Sequence, residues 1–348
     1  MTPVMRAITI EPGAIPPELA SGKVVITQDV KIGEERVRKG RRLRDSDRDL
    51  LGQLRAPVHA VVLDAEDVHE DDAGRRLAVA VAGPRLEIRG PSFSRYNLVA
   101  TEKGLLRIDA DALLRLNLLP GVAIFTLADR LPIVPGKIVA GIKVTPVAVS
   151  GVTLREAEAI GAASPVARIA PFQPLRVGVI STEGPDWRVR DKFRSSVEQK
   201  LRWYGSELLA LSDLPREPEA IAAEIARLDD AGADLILAAG GNTIDPLDAT
   251  LLALPLADAA IVRFGAPAHP GSMFWLAYRG DLPIFNLASC SMFSKSTIAD
   301  VVLPWIMTGE RVEPRTLAAL GLGGLLDRGM GFRFPPYDID RVEETGEE

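Results

Sequence analysis

Between residues 175 and 310, short runs of apolar residues alternate with longer stretches whose apolar positions recur every three or four residues. LRVGVIS (175–181) is a Val/Ile-rich strand candidate, and 191–205 follows with Phe193, Val197, Leu201 and Tyr204 at helical spacing before Gly205 ends the pattern. SELLALS (206–212) predicts the next strand, 218–232 the next helix and ADLILAAGG (233–241) a third strand. A helix from about 246, strands over 259–265 and 282–288, and a helix over 294–309 complete the series. Such alternation predicts an α/β domain with a mostly parallel sheet covered by helices on both faces. In sheets of this kind ligands bind beyond the carboxyl ends of the strands.

The N-terminal pattern differs. KVVITQDV, HAVVLD, RLEIRG, GLLRID and GKIVAGIKVTPVAV are short extended candidates separated by turn signals, with helical periodicity over 46–54 and 70–83. This predicts an α+β N-terminal region over 1–165 of unassigned role, then the α/β domain over 174–334 and an acidic tail over 335–348. The Ala- and Pro-rich stretch 160–174 is the linker candidate.

Composition narrows the function classes. The 348 residues carry a formal charge of −6, which disfavours nucleic acid and anionic membranes as partners. One cysteine excludes an internal disulfide, and three histidines do not make a Cys/His zinc pattern. Any metal is therefore expected to be a hard cation on carboxylates and phosphate. The N-terminal residues lack the long apolar core of a signal peptide and no apolar run has membrane-spanning length, so a cytoplasmic location is expected.

The most informative stretch is ILAAGGNTIDPLDATLLAL (236–254). A glycine pair directly after a strand lets backbone amides approach a ligand with no Cβ in the way. The helix that follows offers free N–H groups to a phosphate. Asn242 and Thr243 add donors, and Asp248 is a carboxylate suited to hydrated Mg²⁺. Asp245 before Pro246 fits a helix N-cap with proline at the first helical position.

Gly240-Gly241 followed by Asp248 and Thr250 resembles the Gly-Gly-x-Ser/Thr/Gly … Asp-x-Thr signature of the molybdopterin-binding domain, shared by molybdopterin adenylyltransferases and molybdotransferases. LRVGVISTEG (175–184), the 218–237 helix and strand, APAHPGSMF (266–274) and PIFNLASCSMFSKST (283–297) stand in the family's order, so the resemblance covers roughly 174–310. It implies that Gly240, Gly241, Asn242 and Thr243 approach a pterin phosphate or adenylate, with Asp248 as the catalytic or metal carboxylate and Thr250 supporting the helix start. It also implies that Ser181, Thr182 and Glu183 line the first strand's edge, that Pro270, Gly271 and Ser272 shape the pterin pocket, and that Ser289, Ser291 and Lys295 flank it. Lys295 reads equally well as a solvated lysine at a helix start. For a second metal carboxylate, Asp213 fits one alignment and Glu217 another, with Arg216 where an acid is expected. The chain departs from the family at Thr182-Glu183-Gly184-Pro185-Asp186, where Thr-Gly-Asp-Glu is usual, and at LASCSMF, where molybdotransferases have Pro-Gly-Asn-Pro.

The resemblance thus implies a molybdopterin-binding protein of molybdenum-cofactor biosynthesis. Its ligand would be molybdopterin or the adenylylated form, with Mg²⁺, ATP and molybdate as possible co-reactants in adenylyl transfer or molybdate insertion, and a homo-oligomeric state. A non-catalytic carrier or sensor, and a nucleotide pyrophosphatase-like hydrolase on the same domain, are the alternatives. Elsewhere, DAEDVHEDDAG (64–74) reads as acids at a helix N-terminus more readily than as a cation site. Ser94, Arg95, Asn97 and Lys103 form either an anion-binding set or a polar loop. Cys290 reads as a structural thiol, His269 either as a pocket residue or as a local hydrogen-bonding one, and Trp203 and Trp305 as core.

Overall fold

The computed structural model describes residues 5–184, 187–241, 244–287, 297–326 and 328–342. The chain forms two compact units: Met1–Thr101 with Arg107–Asp129 and Gly136–Ile169, and Glu102–Leu106 with Arg130–Pro135 and Ala170–Glu348. The fold is mixed α/β, with several sheets whose pairings are mostly antiparallel. Among the described residues no helix is long and apolar enough to cross a membrane.

The first unit contains two four-stranded antiparallel sheets. β1 (Arg6–Ile10), β2 (Val24–Ile26), β3 (Arg42–Leu43) and β4 (Val58–Val62) lie in the order β1-β4-β2-β3. β5 (Leu86–Ser92), β6 (Arg95–Ala100), β7 (Val122–Thr126) and β8 (Ile138–Val144) lie in the order β7-β8-β6-β5. Helices α1 (Glu70–Val81) and α2 (Gly151–Ala163) pack on one another. The acidic stretch takes its structural role: Glu70, Asp71 and Asp72 fill the first turn of α1. His69 is buried, with Nδ1 accepting from the Asp71 amide at 3.2 Å and Nε2 2.7 Å from the Gly40 carbonyl.

The stretch around Ser94 is a hairpin rather than a polar loop. Arg95 and Asn97 lie on β6, Asn97 is buried, and Ser94 is at the turn with φ +59°. Lys103, in the second unit, donates to the Trp203 carbonyl at 3.0 Å and to Asp340 at 2.6 Å. These residues therefore do not act as one anion-binding set.

In the second unit, β9 (Arg176–Ser181), α3 (Trp187–Tyr204), β10 (Glu207–Asp213), α4 (Pro218–Asp230), β11 (Leu235–Ala239) and α5 (Ala249–Leu256) follow one another. β12 (Ala260–Phe264), β13 (Trp275–Arg279), β14 (Leu282–Leu287) and α6 (Ile298–Ile306) complete it. The sheet order is β10-β9-β11-β14-β13-β12. β10-β9, β9-β11 and β11-β14 pair in parallel, whereas β14-β13 and β13-β12 pair antiparallel. Strand-helix alternation therefore predicts the central parallel part and misses the antiparallel edge. WLAYR (275–279) is too short and too uniformly apolar to show a period, and it returns through the turn at Gly280-Asp281 into β14.

Alternate residues of β9 enter different cores, because successive side chains of a strand point to opposite faces. Val177 and Val179 join Phe193, Val197 and Leu201 of α3 and Val302 and Ile306 of α6. Ile180 joins Ile221, Ile225 and Leu228 of α4 and Leu254 of α5. Both faces of the sheet are thereby packed. Trp203, Trp275 and Trp305 are all buried.

One buried ion pair fixes the start of α6. Asp300 is 1% exposed and accepts from Lys200 Nζ at 2.6 Å and from the Tyr337 hydroxyl at 2.8 Å. Its other oxygen accepts from the Thr297 amide at 3.1 Å and hydroxyl at 2.9 Å, closing a capping box. Burial pushes the Tyr337 phenol well above its usual range, so it stays protonated and can donate. Removing one partner strands the other charge. Asp300→Ala is expected to lower the unfolding free energy in urea by roughly 3–5 kcal/mol, and Lys200→Met/Asp300→Leu to recover most of that loss. A single-variant loss below about 1 kcal/mol would show that Lys200 finds another partner.

Candidate functional site

The ends of three neighbouring parallel strands build the candidate site. Ser181, the last residue of β9, is in register with Asp213 of β10 and Ala239 of β11. The Thr182 amide donates to the Ala239 carbonyl at 3.0 Å, and the Leu214 amide to the Ser181 carbonyl at 2.9 Å. The backbone pairing thus continues past the strands and sets Thr182-Glu183 beside Gly240-Gly241. This edge is the one where ligands are expected in a parallel sheet.

The two glycines are required by conformation and by space. Their φ angles are +96° and +84°, a region that L side chains rarely adopt. A Cβ on Gly240 would lie 2.7 Å from Thr182 Oγ1 and 3.2 Å from Glu183 Oε1. A Cβ on Gly241 would lie 2.9 Å from Asp248 Oδ1 and 3.1 Å from Oδ2. Three polar side chains therefore close around a stretch of bare backbone. Thr182 is 5% exposed, and its hydroxyl has no hydrogen-bond partner among the described residues. A buried hydroxyl left unpaired costs about 1–3 kcal/mol. That cost is offset when a ligand supplies the missing partner.

The structure gives the cap role expected of Asp245 to Asp248. α5 starts at Ala249, and Asp248 is its N-cap, with Oδ1 accepting from the Thr250 amide at 3.0 Å. Asp245 instead makes a local turn, its side chain accepting from the Leu247 amide at 2.9 Å and its carbonyl from the Asp248 amide at 3.0 Å. The reason lies in burial. Ile244 and Leu247 are 69% and 74% exposed and give a helix nothing to bury, whereas Thr250, Ala253 and Leu254 face the core. Asp248 thus caps a helix and faces Gly241 with the same carboxylate.

Two arginines share this edge. Arg190 Nε lies 2.5 Å from Asp213 Oδ2, and Arg216 Nε donates to the Thr182 carbonyl at 3.1 Å. Glu217 occupies the N-cap position of α4 without a side-chain cap bond. A divalent cation shared by paired carboxylates is not matched by this donor set. Asp213 is engaged by a guanidinium, Asp248 Oδ1 by an amide, and among the described residues no group of three or more potential metal ligands exists.

The Pro-Gly-Ser loop has a separate attachment. Its Ser272 carbonyl accepts from the Ala266 amide at 3.0 Å, and His269 is tied through its backbone to Gly324 and Leu326 at 2.7 Å each. Gly271 has φ +113°, and a Cβ there would strike Ile298 Cγ2 at 2.3 Å, so the loop packs on the first residue of α6. Pro270 and Ser272 are carried with it.

Asn286, which sequence reasoning passed over, fastens the end of this loop. Buried on β14, it accepts from the Trp275 amide at 2.7 Å and donates to the Met273 carbonyl at 3.0 Å. Its signal was one amide inside the apolar run LPIFNL, because a buried amide must be paired. Asn242, Thr243, Ser289, Cys290, Ser291 and Lys295 lie outside the described residues.

No family model and no curated protein matches the chain. Among solved structures, it is similar to a candidate molybdenum cofactor biosynthesis protein from Corynebacterium diphtheriae, at 16% identity and a TM-score of 0.27, over 42% of this chain and 99% of that one. It is also similar to a molybdopterin biosynthesis MoeA protein from Pyrococcus horikosii, at 12% identity and a TM-score of 0.30, over 72% of this chain and 80% of that one. At scores this low the likenesses carry no argument about fold or function.

The cap role of Asp248 is testable alone. Asp248→Ala should destabilise the protein by about 1 kcal/mol in chemical denaturation, while Asp248→Asn should stay within a few tenths of wild type. Equal losses in the two variants would mean that the carboxylate charge, and not the cap bond, stabilises this turn.

Proposed function

We propose that the second unit binds the phosphate-bearing end of a pterin, molybdopterin or its adenylylated form, at the edge formed by Thr182, Glu183, Gly240, Gly241 and Asp248, and that the protein serves molybdenum-cofactor biosynthesis. The observation that carries the reading is the glycine notch, with its two positive-φ glycines and the buried, unpartnered Thr182 hydroxyl beside them. Successive backbone amides in such conformations form an anion-binding concavity. The resemblance of 174–310 to the molybdopterin-binding domain supplies the pterin class, since the notch alone specifies only a phosphate.

Within this reading, Gly240 and Gly241 bring the backbone to the phosphate and Thr182 donates its hydroxyl proton to a phosphoryl oxygen. Asp248 caps α5 at the end of this turn. The arrangement suits binding better than transfer. Metal-assisted transfer calls for a cation clamped by carboxylates, and the donor set above does not match it. A carrier or sensor of the cofactor is therefore the preferred form of the function.

Molybdopterin at about 100 times its Kd should stabilise the protein by about 2.7 kcal/mol in thermal or chemical unfolding. Thr182→Val removes a hydroxyl that has no partner among the described residues, so it should fold with unchanged or higher stability and bind molybdopterin about tenfold more weakly. Gly241→Val should abolish the stabilisation. Wild-type affinity in both variants would place the ligand elsewhere.

A further inference from the structure

The geometry points to Arg190 and Arg216 as the groups that neutralise the bound phosphate, in place of a divalent cation. This assignment rests on the phosphate-binding reading of the glycine notch and goes beyond it by naming the counter-charge. Asp213 is, on this account, the residue that positions Arg190.

Each guanidinium is anchored with Nε as the nearest atom. Arg190 Nε meets Asp213 Oδ2 at 2.5 Å, and Arg216 Nε donates to the Thr182 carbonyl at 3.1 Å. Beyond these contacts, neither guanidinium has a further residue as hydrogen-bond or ion-pair partner among the described residues. A guanidinium held at one corner and open along its fork is pre-organised for two parallel N–H···O bonds to a phosphoryl group. The anchors flank the site closely. Asp213 is the register partner of Ser181, and the carbonyl that receives Arg216 belongs to the residue whose hydroxyl faces Gly240.

Glu183, Asp213 and Asp248 put three carboxylates at this edge. A phosphate entering beside them needs cationic neutralisation. In a metal site the carboxylates would converge on the ion. Here Asp213 is turned to a guanidinium and Asp248 Oδ1 to a helix amide. Arg216, which stands where sequence comparison expects an acid, is then a replacement of metal-binding charge by guanidinium charge. The ligand class follows: a phosphate monoester or diphosphate group that binds without Mg²⁺.

The test uses the full chain, with inorganic pyrophosphate and AMP as probes followed by titration calorimetry, in EDTA and then in Mg²⁺. The expected result is binding of equal strength in both buffers, weakened about tenfold by Arg190→Gln and about tenfold by Arg216→Gln. Both side chains lie at the surface, so the variants should fold, as circular dichroism would confirm. Asp213→Asn, which loosens the hold on Arg190, should weaken binding no more than Arg190→Gln does, and equally in EDTA and in Mg²⁺. Binding that appears only with Mg²⁺ and disappears in Asp213→Asn would overturn the assignment while leaving the glycine notch standing. Wild-type affinity in both arginine variants would overturn it equally. Loss of affinity in the arginine variants with none in Gly241→Val would support an arginine site and overturn the notch. No binding of either probe by the wild type would overturn both.

Discussion

The candidate site depends on one steric constraint, the absence of a Cβ at two successive positions after a buried parallel strand. Gly240 and Gly241 hold φ angles of +96° and +84°, and the space that side chains would fill is already occupied by Thr182, Glu183 and Asp248. The parallel pairing of β9 with β11 sets the strand-end residues side by side, and the two packed faces of the sheet hold that pairing in place. From this constraint follows the approach of the backbone to a ligand. The Thr182 hydroxyl, buried without a partner, makes the notch a place where free energy is recovered on binding.

Much of this was legible in the chain, for identifiable reasons. The parallel strands β9 and β11, buried on both faces, and the edge strand β10 read as short apolar runs, and the helices between them show a 3.6-residue period, so β9, β10, β11, α3 and α4 were visible from pattern alone. The glycine pair stood out because glycine adopts positive φ at no steric cost and leaves the backbone bare directly after a strand. β13 was missed because its four buried residues, Trp275 to Tyr278, show no alternation. The helix start was misplaced because Asp-Pro is a good local cap signal, yet Ile244 and Leu247 have nothing to pack on, and tertiary burial outweighs the dipeptide preference.

What the sequence could not show was which charges meet. Asp213 looked like a metal carboxylate when considered alone; its meaning changes once Arg190 is found against it, and the two are separated by a helix and a strand in the chain. Asp300, in the first turn of α6, is a buried node joining Lys200, Tyr337 and Thr297. Asn286 and Asp300 act on neighbouring parts of the same framework, one fastening the strand after the Pro-Gly-Ser loop and the other fixing the helix on which that loop rests. Polar residues in apolar runs were the available signal for both, since burying them unpaired costs more than a folded domain can spare.

The central claim is positional, and a crystal structure of the protein with molybdopterin bound tests it most directly. The account predicts the terminal phosphate against the Gly240 and Gly241 backbone, within hydrogen-bonding distance of Thr182 Oγ1 and of the Arg190 and Arg216 forks. A phosphate bound away from the Thr182–Gly241 edge would contradict it.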